Sequence, residues 1–69
     1  MHHTDAKEMA KLGVNLIIGE KSNIHHTDAK EIIKIVVEQK SQITIEKDYH
    51  HTDIKEMIKI GGKQITIKI

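Results

Sequence analysis

The chain has 69 residues, a formal net charge of +1, no cysteine, and no proline, arginine, phenylalanine or tryptophan. Such a length allows one domain with a thin core, the missing cysteines exclude a disulfide framework and thiol chemistry, and eleven lysines interleaved with ten acids leave no basic footprint for nucleic acid. No apolar run approaches the roughly 18 residues of a membrane span and no signal-peptide pattern opens the chain. The expectation is a soluble protein, cytoplasmic or recombinantly produced, with no targeting signal and no membrane or nucleic-acid partner.

The seven-residue pattern His-His-Thr-Asp-x-Lys-Glu occurs three times, at 2–8, 25–31 and 50–56, and contains all six histidines. It divides one domain, 1–69, into repeats 2–24, 25–49 and 50–69. The near-verbatim repetition and five missing residue types point to a designed or simplified sequence, or to a recent internal triplication.

Each motif opens a helix. In the first repeat Ala6, Met9, Ala10 and Gly13 follow the i, i+3, i+4, i+7 spacing of one helical face, predicting a helix near 4–12. Gly13 stops it, and Val14 to Ile18 read as a strand apolar on both sides. In the second repeat Ala29, Ile32, Ile33 and Val36 keep the same spacing, predicting a helix near 27–40. Lys40-Ser41 ends it, and a strand near 42–47 alternates Ile43 and Ile45 with Gln42, Thr44 and Glu46. In the third repeat Ile54, Met57 and Ile58 mark a helix near 52–60. Gly61-Gly62 follows, then a strand near 64–69 with Gln64, Thr66 and Lys68 on the outer side. Thr or Asp is the expected N-cap of each helix. Asp5 with Glu8, Asp28 with Glu31 and Asp53 with Glu56 have capping-box spacing.

The order is therefore αβαβαβ. A helix down and a strand up, repeated, makes every strand parallel and every connection a right-handed crossover. The predicted fold is an α/β two-layer sandwich with a three-stranded parallel sheet and three helices; the alternative is an open-faced α+β sandwich with an antiparallel sheet. In the parallel arrangement all three histidine pairs fall on one rim. Strands that alternate ask for one wet face, whereas parallel sheets are usually covered on both. A second copy of the chain could supply the cover, so a homo-oligomer is expected.

The rim is the only concentrated chemistry. Imidazole is a common ligand for zinc, nickel and copper, and carboxylate completes such sites. His2, His3, His25, His26, His50 and His51, with Asp28 and Asp53, are the candidate metal ligands, and zinc, nickel or copper the candidate cofactor. The main functional expectation is a designed or simplified repeat scaffold whose rim binds a divalent transition metal. The alternative is a purely structural or self-associating scaffold with no ligand. Helix N-termini also attract anions, but an Asp in each first turn repels them. His, Thr and Asp together invite a general-base arrangement, yet no nucleophile or oxyanion site accompanies them, and no enzyme activity is expected.

Two resemblances cross the repeat. Asn23-Ile24-His25-His26-Thr27-Asp28-Ala29, the helix containing Ile32-Ile33, and Ser41-Gln42-Ile43-Thr44-Ile45-Glu46 resemble the histidine-containing phosphocarrier family. That resemblance implies an open-faced αβ sandwich with His25 as the phosphoryl-carrying residue, and a phosphocarrier-like module as a further functional alternative. Thr27 and Asp28 stand where that family has Arg and Pro. Leu16-Ile17-Ile18-Gly19-Glu20-Lys21-Ser22-Asn23-Ile24 is similar to the core of nucleic-acid-binding KH domains. Ser22 replaces that core's second glycine, and the basic groove is absent.

Overall fold

A computed structural model describes residues 2–69, with the His3 side chain outside what is described. Helices α1 (His3–Lys11), α2 (His26–Glu38) and α3 (His51–Gly61) alternate with strands β1 (Leu16–Ile18), β2 (Ile43–Ile45) and β3 (Ile65–Ile67). A 3-10 turn at Gly62–Gln64 separates α3 from β3. The expected αβαβαβ order is the one found, and the strands lie parallel in the order β1-β2-β3. The antiparallel alternative does not form. Each strand is three residues long, shorter than the five or six expected, with cross-strand backbone bonds reaching one residue further at Gln42, Glu46 and Lys68.

The register stacks like on like. Leu16, Ile43 and Ile65 are neighbours across the sheet, as are Ile17, Thr44 and Thr66, and then Ile18, Ile45 and Ile67. Because side chains alternate across a strand, the first and third rows face the helices and the middle row faces away. The three helices lie side by side on that one face. The core joins Ala6 and Ala10 of α1, Ala29, Ile32, Ile33 and Val36 of α2 and Met57 of α3 to Ile18, Ile43 and Ile45 of the sheet. The middle row is solvated: Thr66 is exposed, Thr44 half-buried, and Ile17 is 66% exposed. The sheet is thus bare on one face, as the alternating strands require and contrary to the habit of parallel sheets.

Each helix ends at a residue with positive φ or just before one: Gly13 (+84°), Lys40 (+58°) and Gly62 (+57°). The end of α2 is a Schellman turn. Ser41 N–H donates to Val36 C=O and Lys40 N–H to Val37 C=O, both at 3.1 Å. Lysine occupies the left-handed position that glycine would take without steric cost. Lys40→Gly is therefore expected to stabilise the fold by about 0.5–1 kcal/mol, read as a higher urea midpoint with an unchanged slope. A loss of stability would show that the Lys40 side chain contributes a contact outweighing its backbone strain.

Candidate functional site: the histidine rim

Parallel strands joined through helices bring every strand-to-helix connection to one edge of the sheet, and the histidine pairs stand there at the three helix N-termini. The first histidine of each pair is the N-cap itself. His2, His25 and His50 have extended backbones, and the Nδ1 of each accepts from the backbone N–H two residues on. The distances are 3.2 Å from Thr4, 3.4 Å from Thr27 and 3.3 Å from Thr52. The Thr27 and Thr52 hydroxyls also lie 2.9 and 2.7 Å from the same nitrogens. An acceptor satisfies one of the orphan donors of a helix start, so imidazole does here what a short polar side chain usually does. Thr and Asp, expected as caps, sit instead inside the first turn, and the capping boxes give way to the histidine caps. An Nδ1 that accepts an N–H places the neutral ring's proton on Nε2, which is then a donor.

The carboxylates turn sideways to the neighbouring helix. Lys7 of α1 bridges Asp28 (3.1 Å) and Glu31 (2.9 Å) of α2. Lys30 of α2 bridges Asp53 and Glu56 of α3, both at 3.0 Å. Lys7 and Lys30 hold the same motif position, so one ion-pair device is used twice. His26 joins it, with Nδ1 enclosed and 3.4 Å from Asp53 Oδ1. That contact is too poorly aligned for a hydrogen bond, and is an ion pair when the ring is protonated. The His25 and His26 rings are tilted by 36° with centroids 4.2 Å apart, and His50 and His51 stack with centroids 4.6 Å apart.

The candidate metal ligands are thus sorted by position. His2, His25 and His50 cap helices, and Asp28 and Asp53 receive the bridging lysines. His26 faces Asp53, and His51 is exposed against His50. The His3 side chain lies outside the described residues. Among the described residues, no three His, Cys, Asp or Glu side chains converge as a metal would need. In the second motif His25 meets Thr27 while Asp28 meets Lys7.

Two further residues tie the loops, and neither stood out in the sequence. The Tyr49 hydroxyl donates to Ile24 C=O at 2.7 Å, linking the two strand-to-helix connections. Burial, with the Asp28 charge adding, pushes its ionisation up to about 12. Gln64, expected on the outer side of the third strand, sits in the 3-10 turn. Its amide donates to Val36 C=O (3.2 Å) and Ser41 C=O (2.9 Å) at the end of α2. The Gly61-Gly62 reversal brings it there, and that turn is the one signal in the sequence.

The bridging pairs set a pH profile. The Lys30 hydrogen bond, with the positive charges of His26 and Lys30 adding, holds the Asp53 carboxyl below its ordinary 3.8. The Glu31 and Asp28 hydrogen bonds raise the Lys7 ammonium above 10.5, and those of Asp53 and Glu56 raise Lys30. A depressed carboxyl stabilises the fold above its unfolded value and loses that effect as pH falls through its folded value. A raised ammonium stabilises below its unfolded value and loses the effect as pH climbs through its folded one. The contribution of these bridging pairs to Tm is expected to hold between pH 3.8 and 10.5 and to fall on both sides. Asp53→Asn should lower the plateau and flatten the acid limb. An unchanged acid limb would show that Asp53 does not report the ladder.

Comparison with protein-family models, with curated proteins and with solved structures returns no match. No described helix is long and apolar enough to cross a membrane.

Proposed function

We propose that this chain is a structural αβ-repeat scaffold of designed or simplified sequence, whose repeated motif holds the fold together and performs no catalysis. The observation that carries the reading is the N-cap geometry: each first histidine spends its Nδ1 on the helix it begins. Ligation through Nε2 would need that nitrogen's proton moved, and the cap acceptor would be lost with it. Asp28 and Asp53, the carboxylates best placed to complete a metal site, are already engaged by Lys7 and Lys30.

A cap can be exchanged for another cap, whereas a ligand set cannot. His25→Asp with His50→Asp is expected to keep or raise stability, because Asp ranks among the best N-caps, while the two Ala variants should each lose about 0.5–2 kcal/mol. Zinc at neutral pH should leave the Tm of all these proteins unchanged. The close histidine pairs at one rim favour a second reading, divalent zinc, nickel or copper held by Nε2 atoms. Zinc raising the Tm of the parent chain, with the gain lost in the Asp variants, would establish that reading and overturn the first.

A further inference from the structure

The two ends of the molecule carry the unmatched halves of the contacts that join its repeats. In motif register, Lys7, Lys30 and Lys55 correspond, and the first two bridge the acidic pair of the next helix. Lys55, in the third repeat, is exposed, and no described helix lies beyond α3. At the other end Asp5 and Glu8 hold the acidic positions and have no preceding lysine. Among the described residues none of these three forms an ion pair.

The apolar positions show the same asymmetry. Ile32 and Met57 are fully buried, whereas the corresponding Met9 is 39% exposed. Ala10 and Ile33 are fully buried, Ile33 with its Cγ2 at the end of α3, whereas the corresponding Ile58 is 45% exposed. Asp5, Glu8, Met9 and Leu12 fall at i, i+3, i+4, i+7, a single face of α1. His51, Lys55 and Ile58 fall at i, i+4, i+7 on α3. The sheet is open in the same sense, because β1 and β3 are edge strands with one neighbour each. An edge strand with unpaired backbone groups is a template for another strand, and every junction already present in this sheet is parallel.

We propose that copies of this chain associate head to tail, the α3–β3 end of one against the α1–β1 end of the next. The occupant is a second copy because its end supplies what the first lacks. Lys55 bridges Asp5 and Glu8 of the next copy as Lys30 bridges Asp53 and Glu56. His51 approaches Asp5 as His26 approaches Asp53. Ile58 covers Met9, and β3 pairs with β1 as β2 pairs with β3. The contact is heterologous, so the product is a ring where the rotation closes and a filament where it does not. The bare sheet face with Ile17 is left solvated, which separates this assembly from a face-to-face dimer.

Sedimentation velocity of the full chain from micromolar to millimolar concentration tests it. Mass growing with concentration, with added salt weakening the growth, is expected. Lys55→Glu sets like charges against Asp5 and Glu8 and should weaken association by roughly tenfold or more. Asp5→Lys with Glu8→Lys should do the same alone, and mixing the two weakened proteins should restore assembly because each then meets its opposite charge. Circular dichroism checks that α1 survives; should the double variant lose it, Glu8→Lys alone replaces it in the mixture. A monomer throughout the range overturns the proposal, as does a closed dimer of unchanged affinity in Lys55→Glu.

Discussion

Ile33→Ala is expected to destabilise the fold by about 2–5 kcal/mol, the usual cost of a cavity at a fully packed aliphatic position. Ile33 has no exposed surface and sits mid-way along the central helix. Its Cγ2 also reaches the end of α3, within 3.3 Å of where a Gly61 Cβ would stand. The loss would be a large share of the roughly 5–15 kcal/mol that holds an ordinary domain together, so the variant should be partly unfolded at room temperature. Ile17→Thr is the control. It removes an equally apolar side chain, but from β1 on the solvated face of the sheet, and surface changes usually stay within about 0.5 kcal/mol. Urea denaturation of both variants decides the matter. Equal losses would mean that the sheet's outer face is covered in solution.

The contrast between those two isoleucines marks how far periodicity carries. The switch from a 3.6-residue to a two-residue apolar period, three times over, was enough to place all six elements and to make the sheet parallel, because an αβ repeat leaves no short return path for an antiparallel neighbour. The strands come out shorter than the alternation suggests, although Gln42, Glu46 and Lys68 still carry cross-strand backbone hydrogen bonds just beyond the strand ends. The first strand reads as apolar on both sides, and composition does not say which face is inward; the register of Ile17 against Thr44 and Thr66 does.

The rim was located correctly by topology, while the work of its residues was not evident. Histidine is absent from the usual ranking of N-caps, so Thr and Asp were the natural choice one to three positions later. The signal available was the invariance of the first histidine at all three helix starts. The ion-pair ladder had a signal too. Helices that repeat in parallel, side by side, align equal motif positions, and a Lys two residues after an Asp then faces the next helix's acids across the gap. Spacing within one helix conceals this, because the ladder runs between repeats. Tyr49 and Gln64 carry no periodic pattern, as Tyr49 acts through one bond and Gln64 through two, all to carbonyls far away in sequence.

Gly61→Ala should be destabilising where propensity alone would have it stabilising. Gly61 is the last residue of α3, with ordinary right-handed helical angles of φ −80° and ψ −31°. Nothing in its backbone demands glycine, and alanine inside a helix is favoured over glycine by about 0.8–1 kcal/mol. Space decides instead. A Cβ there would lie 2.7 Å from Ile65 Cβ and 2.8 Å from Ile65 Cγ2, with Ile33 Cγ2 behind it at 3.3 Å. Ile65 Cβ is fixed to the backbone of β3, so relief requires the strand to move away from the helix. That strand is paired to β2, and its 3-10 lead-in holds Gln64 against the α2 carbonyls. Overpacking of this kind costs about 1–3 kcal/mol, more than the propensity gain returns. Gly62→Ala is strained for the other reason, its φ of +57°, although its site is open. The two variants therefore separate under a compensating change. Ile65→Ala should recover part of the stability lost in Gly61→Ala, because the Cγ2 overlap goes with the truncated side chain, and none of that lost in Gly62→Ala. A double-mutant cycle by denaturant titration measures the coupling. A cycle with no coupling between positions 61 and 65 would show that the close approach of α3 to β3 does not set the identity of Gly61.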